Sequence, residues 1–408
     1  MTDGLVTTNP ALIGEREAAE VRDAMPSAGP VLALPLTYLT GKPYTGQRGP
    51  RLRPGHHVVF GFVSMLGGLA LSCWALSGLL AGIWWFSPVL VAGWAVSLHG
   101  MRNLRMMVYH QAAHRNLWAR QSVDRPLGRV IAGVLMVQDF ERYTVEHVAD
   151  HHAVHHMTVR DPTVQAFLIG LRLAPGMSRR RMWARVLVTL VNPVFHARFL
   201  IGRIRSYFQP ASARTRYVTA GVYLLIAVAL VWTGWWPFAL VCWVWPLTVP
   251  YQVSNTLRLC VKHTFPSPLA AERKGRDYFG SLTNAIFIGE AAPEPGRGIV
   301  HVGRWARWWA RMLLLHFPSR YLVLTGDTVC HDFHHRRPMS REWAGYVFER
   351  QADVDGGHPG WPQYRAVWGL VPAISVVFDS LSAADPREYS VDRIAAISGR
   401  DLFSAFDD

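Results

Sequence analysis

One stretch of the sequence decides the fold class: residues 58–101 read VVFGFVSMLGGLALSCWALSGLLAGIWWFSPVLVAGWAVSLHGM, 44 positions without an Asp, Glu, Lys or Arg. About 20 apolar residues cross the roughly 30 Å hydrocarbon core of a bilayer, so a run of this length predicts two spans. Gly82 and Pro88 lie between them and favour a turn. The alternative is two helices buried in a soluble protein, but such helices rarely lack charge for so long. The stretch therefore predicts a transmembrane helical hairpin.

A second charge-free stretch has the same organisation over 41 positions, residues 217–257. Its middle reads TGWWPF at residues 233–238. Tryptophan at a short uncharged turn is typical of the interface between membrane and water. The two hairpins together predict four spans, near residues 58–80, 84–104, 217–235 and 237–257.

The charge composition agrees with a membrane protein and indicates its orientation. Only 17% of the 408 residues are charged, against about 25% in soluble domains, yet the formal net charge is +14. Arginine supplies most of the positive charge, which flanks one side of both hairpins at residues 48–53, 102–105, 179–216 and 258–262. By the positive-inside rule, both termini and the two large polar segments are expected in the cytoplasm, with the chain in the inner or plasma membrane. The basic excess therefore indicates topology rather than binding of nucleic acid.

The rest of the chain completes an all-α integral membrane fold, in which a cytoplasmic helical cap accompanies the two transmembrane hairpins. Residues 1–50 begin with an acidic, alanine-rich segment that lacks the apolar core of a signal peptide, and we expect a partly disordered cytoplasmic tail. Residues 51–340 are the membrane domain, and residues 341–408 a cytoplasmic C-terminal segment. Residues 185–204 mix arginine with apolar side chains, which favours a helix in the interface plane or one packed on its own domain, interrupted at Pro193.

Histidine is concentrated in four short segments on the predicted cytoplasmic side. The first, YHQAAH, holds His110 and His114 at i and i+4, about 40° apart around a helix, so both imidazoles face the same way. The other segments, EHVADHHAVHH, RLCVKH and CHDFHHRRP, supply His147, His151, His152, His155, His156, His263, His331, His334 and His335. The remaining histidines are interpreted as ordinary core or surface residues: His56, His57, His99, His196, His301, His316 and His358.

Clustered histidines of this kind indicate a metal site. Neutral imidazole is the commonest metal ligand, and several buried imidazoles cost stability unless something coordinates them. The sequence has no HExxH and no CxxC, which excludes the usual zinc peptidase and argues against structural zinc or iron–sulfur centres. Eight or nine histidines are too many for one ion and predict two. Iron, copper and zinc all suit nitrogen ligands, and a redox role makes iron the leading choice.

The combined pattern resembles the membrane fatty acid desaturase and hydroxylase superfamily, which includes alkane and carotenoid hydroxylases, over roughly residues 58–338. YHQAAHRNLW with the following Pro126, Leu127 and Gly128 looks like the first histidine box of desaturases. EHVADHH followed by DPT at residues 161–163 is similar to the second box of alkane hydroxylases. The resemblance implies a histidine-rich dimetal site held by the cytoplasmic cap.

Two registers compete in the second box. His147, His151 and His152 form HxxxHH at a distance from Asp161 that suits the family, whereas His152, His155 and His156 form HxxHH too close to it. The first register is favoured, and His155 and His156 would then line the site or its access. The metal ligands that the resemblance implies are His110, His114, His147, His151, His152, His263, His331, His334 and His335.

The sequence departs from the family beside the single histidine. Some members place Asn four residues before it, where this chain has Leu259, and the nearby Asn255 is a further turn away. Three acidic residues in or near the boxes, Asp150, Asp327 and Asp332, are candidates for orienting imidazoles or are solvated loop acids.

The resemblance implies a di-iron enzyme that uses dioxygen to oxidise unactivated C–H bonds, and desaturation of a fatty-acyl or lipid-like chain is the leading interpretation. Histidine boxes do not separate desaturation from hydroxylation, because the outcome depends on ångström-scale placement of the substrate. A hydroxylase or monooxygenase of a hydrophobic or carrier-tethered metabolite is the first alternative. A non-enzymatic membrane metal-binding protein is the second.

Electrons are expected from a separate ferredoxin and its reductase. The sequence shows no Rieske CxH pair and no glycine-rich nucleotide loop after a predicted strand. HPGW at residues 358–361 half resembles the haem loop of cytochrome b5, but no second haem histidine follows it. The arginine-rich cytoplasmic surface suits an acidic ferredoxin or lipid headgroups.

Overall fold

The computed structural model describes residues 9–25, 29–118, 120–148, 155–268 and 275–397, which are mostly helical. The α-helices, in chain order, are α1 (Glu15–Asp23), α2 (Gly29–Thr40), α3 (Pro54–Leu80), α4 (Phe86–Asn103), α5 (His110–Ala113), α6 (Gln121–Leu135), α7 (Phe140–Thr144), α8 (Pro162–Gln165), α9 (Arg179–Val191), α10 (Pro193–Phe208), α11 (Ala213–Trp232), α12 (Trp236–Ala239), α13 (Trp245–Leu247), α14 (Val249–Lys262), α15 (Gly275–Ser281), α16 (Ile299–Arg311), α17 (His331–Arg336), α18 (Tyr346–Asp355), α19 (Leu370–Ala383) and α20 (Val391–Ile397).

Other helical segments join or extend these helices. The π-helical segments include Leu104–Tyr109, Ala166–Gly170, Leu240–Val244, Met312–His316 and Ser319–Val323, and the 3-10 turns are Gly326–Cys330 and Trp343–Gly345. The chain forms two compact units, each discontinuous in sequence. Residues 1–53, 174–182 and 257–389 belong to the first unit, and residues 54–173, 183–256 and 390–408 to the second.

In the second unit, α3 and α4 pack closely because glycine lies at the points of contact. A Cβ atom on Gly68 would stand 2.2 Å from the backbone nitrogen of Ser97, and one on Gly100 would stand 2.2 Å from that of Met65. Small residues at such contacts let two apolar helices approach backbone to backbone. The close contact fixes the position of α4, which continues toward the first histidine segment.

A valine at Gly68 is therefore expected to separate the two helices. Overpacking costs about 1–3 kcal/mol where side chains can move, and here the obstacle is backbone, so Gly68→Val should lower both the yield of folded protein and its melting temperature in detergent. Gly67→Val is the matched control, because a Cβ there meets nothing within 4 Å. Equal melting temperatures for the two variants would contradict the close contact.

Among the residues that the structure describes, two helices, α3 and α11, are long and apolar enough to cross a bilayer, and the bent pair α9 and α10 meets the same standard when taken together. Helix α11 has no buried side chain, and Trp232 at its end is 88% exposed. The segment predicted as the fourth span is helical but interrupted, since Thr248 leaves the helical conformation between α13 and α14. The four-span arrangement stays a prediction.

The sharp bend between α9 and α10 occurs where Pro193 predicts it. The two helices meet at 73°. Pro193 begins α10, where its missing N–H costs nothing, and the side chain of Asn192 accepts a hydrogen bond from the backbone N–H of Val194 at 2.9 Å. Proline and the capping side chain together end one helix and start the next.

The first unit contains a small β-sheet, so the expectation of an all-α fold is corrected to a mostly helical one. Its strands are β1 (Ile13–Gly14), β2 (Ala285–Phe287) and β3 (Arg365–Trp368), in the order β1-β3-β2. Strand β3 pairs antiparallel with β1 and parallel with β2. Strands of two to four residues are too short to give a period-2 signal. The sheet packs its apolar side chains against Ala18 of α1.

Candidate metal centre

The first two candidate ligands follow the long helix α4. A π-helical segment connects α4 to α5, which begins at His110, and His114 comes directly after its last residue. The rings of His110 and His114 lie 5.0 Å apart between centroids, as expected for i and i+4 on one helical face. Both side chains are buried.

His147 joins this pair from beyond α7. Its Nε2 lies 3.0 Å from the Nε2 of His110, and its ring centroid lies 5.2 Å from that of His114. The nitrogen atoms that the three rings offer all lie within 4.8 Å of one another. We refer to His110, His114 and His147 as the first histidine group.

An aromatic and a cationic side chain back the ring of His147. Tyr143 stacks on it with centroids 4.8 Å apart and planes 13° from parallel. The guanidinium of Arg105 lies over the Tyr143 ring at 4.2 Å and over the Tyr109 ring at 4.5 Å. Such cation–π contacts are strong when they are desolvated, and Arg105 is only 1% exposed. Arg105 therefore supports the ring of His147 through Tyr143.

The second box is described in part. His151, His152 and Asp150 lie outside the described residues. His155 is half-buried and His156 is buried, with its Nδ1 3.9 Å from Oδ2 of Asp161. Asp161 also caps α8 and accepts a hydrogen bond from the backbone N–H of Met157 at 2.7 Å. Asp161 therefore stabilises both the turn that begins at Met157 and the start of α8.

A second histidine group lies in the first unit. It consists of His263, directly after α14, and His331 and His335 at i and i+4 on α17. The Nε2 of His331 lies 3.3 Å from that of His263 and 3.2 Å from that of His335. All three rings are buried, and their ligand nitrogens lie within 4.8 Å of one another. His334, on the same helix, is also buried and stacks on His331 with centroids 5.9 Å apart.

The environment of the second group keeps at least one of its imidazoles neutral. Burial lowers the pKa of His331 well below its usual range, and the neighbouring His335 and His263 lower it further. A neutral imidazole has one nitrogen with a free lone pair, the form that binds a metal ion. Burial and the neighbouring imidazoles therefore disfavour the protonated form of His331, which would repel a metal cation.

The spacing of the nitrogens in both groups fits a shared metal ion. Two ligand nitrogens about 2.0–2.1 Å from one ion stand about 3 Å apart when they are at right angles, close to the observed 3.0–3.3 Å. Hydrogen bonding alone is a poor explanation for His331, because one Nε2 can donate a single proton and approaches two other Nε2 atoms. A donor set made of imidazoles suits iron, copper or zinc.

The acidic candidates in the first unit have different surroundings. Asp332 pairs with Arg350, whose Nε lies 3.0 Å from both carboxylate oxygens and whose Nη2 lies 2.8 Å from one. Asp327 is buried, and burial raises its pKa to about 6 although Arg258, Arg320 and Lys262 act in the opposite direction. Asp332 therefore supports helix α17 through Arg350.

Asn255, the amide side chain that precedes His263, belongs to the second unit. Its side-chain oxygen accepts a hydrogen bond from Arg102 at 2.5 Å.

Arg350 belongs to a buried ionic network in the first unit. Its Nη2 donates to Glu15 at 2.5 Å, and Glu15 also accepts from Nζ of Lys42 at 2.6 Å. Lys42 and Arg350 lie over the ring of Phe287 at 5.6 and 5.1 Å. The network connects the N-terminal segment, strand β2 and α18 to Asp332, which follows His331 in the chain. We call Glu15, Lys42, Asp332 and Arg350 the ionic network.

The stability that Glu15 supplies is expected to depend on pH. Burial alone would raise its pKa, but Arg350 and Lys42 outweigh burial and hold the pKa at about 2, below the ordinary 4.5. A lowered carboxylate pKa stabilises the fold above the unfolded-state pKa, and this contribution disappears as the pH falls toward 2. Glu15→Gln should therefore lower the melting temperature at pH 7, with a loss on the order of 3 kcal/mol.

The difference between Glu15→Gln and the wild type should shrink as melting is followed from pH 6 down to pH 3. Glu20→Gln is the control, because Glu20 is exposed on the same helix and pairs with the exposed Arg16. A difference that stays constant over this range would mean that Glu15 does not act through its charge.

The sequence motifs predict the histidines of the candidate site but not the residues that support them. Arg105, Tyr143 and Arg350 carry no motif, and nothing in their spacing marks them. The sequence offers one weak signal. An arginine that closely follows a long charge-free run needs a buried partner or an aromatic ring. Arg105 lies just beyond the first run, which ends at Met101, and has both Tyr109 and Tyr143 beside it.

Comparison with known proteins adds one finding. No curated protein and no solved structure matches the chain significantly. A family model, that of the fatty acid desaturases, matches residues 87–321, more than half of the 408 residues. The match includes the first histidine group and His263, and it ends before α17. With this match and the two buried histidine groups together, the chain belongs to the fatty acid desaturase family.

Proposed function

We propose that this protein is a dioxygen-dependent di-iron oxidoreductase that desaturates a fatty-acyl or lipid-like chain. The observation that carries the proposal is the pair of buried histidine groups, each with Nε2 atoms 3.0–3.3 Å apart, in a member of the fatty acid desaturase family. Family membership supports oxidoreductase chemistry and an acyl-type substrate. The geometry supports two nitrogen-rich metal positions.

The residues proposed to hold iron are the two histidine groups together with the neighbouring box histidines: His110, His114, His147, His151, His152, His263, His331, His334 and His335. When bound, two iron ions supply the reductive activation of dioxygen that oxidation of an unactivated C–H bond requires. The protein's own part is to keep the imidazoles neutral and to exclude water from them. Burial of His110, His147 and His331, each 1% exposed, supports the exclusion of water, and the lowered pKa of His331 supports its neutral form.

We further propose that the chain is a multi-pass protein of the inner or plasma membrane, with both termini and the histidine groups on the cytoplasmic side. The apolar helices α3 and α11 support this location. Trp84 and Trp85 stack on one another in the turn between α3 and α4 and are 63% and 66% exposed, as expected for residues at the interface. The arginines that flank one side of both predicted hairpins support the orientation.

An external electron donor completes the proposal. The reaction consumes electrons, and the sequence contains no recognisable flavin, nicotinamide or haem site of its own. A ferredoxin with its reductase is the proposed donor, because an acidic partner suits a chain of net charge +14.

Product analysis tests the function. The protein is expressed with a ferredoxin and reductase, and lipids and free acyl chains are compared by mass spectrometry with cells lacking it. A product that has lost two hydrogen atoms supports desaturation, whereas a product that has gained one oxygen atom would indicate the hydroxylase alternative. Purified protein should contain about two iron atoms per chain. Bound metal without any oxygen consumption in the presence of reductant and lipid would mean a metal-binding protein and would overturn the proposal.

A further inference from the structure

Helix α16 and the π-helical segment that follows it carry three different faces along residues 299–317. One face is packed against its own unit. Trp308 and Met312 are 3% and 1% exposed and contact Leu36 of α2, with Trp305 and Leu39 beside them. Glu290 fixes this orientation, since its backbone oxygen accepts from Nε1 of Trp308 at 2.9 Å and its carboxylate pairs with Arg311 and with Nε2 of His316. The helix is therefore held in one rotation.

The second face is apolar and exposed. Val302, Trp309, Leu313 and Phe317 follow one another at intervals of seven, four and four residues, which places them on one side of the helix. They are 65%, 37%, 56% and 45% exposed. An apolar stripe of this length on the outside of a folded unit marks a surface that meets something other than water.

The third face is basic. Arg304, Arg307 and Arg311 are spaced at three and four residues and are all exposed. Arg311 is paired with Glu290, but Arg304 and Arg307 form no ion pair within the part of the chain that the structure describes. No acidic residue occurs in the sequence between Glu294 and Asp327. The exposed side of α16 thus combines an apolar stripe with two available cations.

We propose that residues 299–317 lie in the headgroup layer of a bilayer that contains anionic phospholipid. Val302, Trp309 and Leu313 would enter the boundary with the acyl chains, while Arg304 and Arg307 contact phosphate groups. A helix with an apolar face, a basic face and tryptophan at its border is suited to this plane of the membrane. An acidic protein partner would match the arginines but would leave the apolar stripe unexplained, so the stripe favours lipid.

This surface is independent of which oxidation the protein performs. It also differs from a transmembrane anchor, because α16 is already packed on one side and shows only its outer faces. Binding of anionic headgroups would make the position of the first unit depend on lipid composition, with each arginine near an anionic surface contributing about a fivefold preference.

A thiol accessibility experiment tests the proposal on the full chain in lipid nanodiscs. Leu313→Cys protein is placed in discs of phosphatidylcholine alone or of an equal mixture with phosphatidylglycerol, and its alkylation by a membrane-impermeant maleimide is timed. Wild-type protein gives the background from the native Cys73, Cys242, Cys260 and Cys330. Arg16→Cys is the control, because Arg16 is 95% exposed in its side chain on a helix of the same unit.

We expect the thiol at position 313 to react more slowly than that at position 16, and more slowly still when phosphatidylglycerol is present. Adding Arg304→Gln and Arg307→Gln should remove the effect of phosphatidylglycerol, a change on the order of tenfold. Equal rates at positions 313 and 16 in both discs would overturn the proposal. Protection that appears only when an acidic ferredoxin is added would overturn it in favour of a protein-docking surface.

A second measurement needs no introduced cysteine. Hydrogen exchange of the backbone over residues 299–317 in the wild type should be slower in discs with phosphatidylglycerol than in phosphatidylcholine discs. The Arg304→Gln, Arg307→Gln variant should exchange equally in both. The same exchange in all four samples would contradict contact with anionic lipid even if the cysteine variant failed to fold.

Discussion

Replacing His331 with alanine is expected to remove one of the two proposed iron ions and almost all turnover. His331 is the member of the second histidine group whose Nε2 approaches both of the others, at 3.3 Å from His263 and 3.2 Å from His335. Its removal leaves two imidazoles in the second histidine group, and we expect two to be too few to keep a metal ion bound at this position. Loss of residues that only orient a ligand typically costs 10–100-fold in metal affinity or activity, so losing the ligand should lower turnover by more than about two orders of magnitude.

Iron content and turnover are measured separately on the same preparation. The expected iron content is about one ion per chain, because the first histidine group is untouched. His56→Ala is the control, since His56 is exposed and outside both groups; it should keep its iron and its rate. If His331→Ala kept two iron ions per chain and turned over normally, the second group would not be a metal site.

The histidine pairs show what a pattern can predict. Because i and i+4 share a helical face, the sequence predicts that His110 and His114 point the same way, and their rings are 5.0 Å apart. The same holds for His331 and His335, whose rings are 4.6 Å apart. Helical periodicity is a local property and is legible over a few residues. The sequence also predicts the break at Pro193 for a local reason, the absence of a backbone N–H.

Contacts between segments that are distant in the chain cannot be predicted from helical periodicity. His263 meets His331 across 68 residues of chain, and only the resemblance to desaturases suggested that they belong together. Asp332 was a candidate for orienting an imidazole, and the structure pairs it with Arg350 instead. The choice depends on where α18 packs, which no spacing within the box specifies. Strands as short as β1 and β2 give no sequence signal either, because each is stabilised by pairing with the distant strand β3.

The glycines illustrate the same limit. Gly67 and Gly68 are indistinguishable in the sequence, yet only Gly68 lies against the backbone of α4. The rotation of α3 about its axis decides which of the two glycines lies against α4. An almost uniformly apolar helix gives no signal for that rotation. Hydrophobicity thus predicts that such a helix exists but does not indicate which side it packs.

The ionic network leads to the second large effect. Arg350→Met is expected to destabilise the first unit by about 3–5 kcal/mol, the usual loss when one partner of a buried ion pair is removed. Arg350 is 1% exposed and Asp332 is fully buried, so the carboxylate would keep its desolvation cost without its counterion. Glu15 would lose its contact with Arg350 as well and would depend on Lys42 alone.

The loss should also reach the proposed metal site, because Asp332 lies between His331 and Phe333 on α17. Three contacts between Arg350 and Asp332, all at 2.8–3.0 Å, hold the start of α17. Without them, the helix is expected to shift or fray, and the absorption or electron paramagnetic resonance signal of bound iron should change. Arg337→Met is the matched control. Arg337 pairs with Asp353 at 3.0 Å but is 34% exposed, so its removal should cost less than about 1 kcal/mol and leave the iron signal as it was.

A double substitution separates charge from packing. If the damage comes from a stranded carboxylate, Arg350→Met combined with Asp332→Asn should recover part of the stability that Arg350→Met alone removes, since a neutral amide costs less to bury than a charge. If the stability lost in the double variant equals the sum of the losses from Arg350→Met alone and Asp332→Asn alone, the two side chains do not act as a pair. An iron signal unchanged in Arg350→Met, in spite of a lower melting temperature, would confine the network to folding. A changed signal that the double variant moves back toward that of the wild type would instead make Arg350 a residue that positions His331 through Asp332.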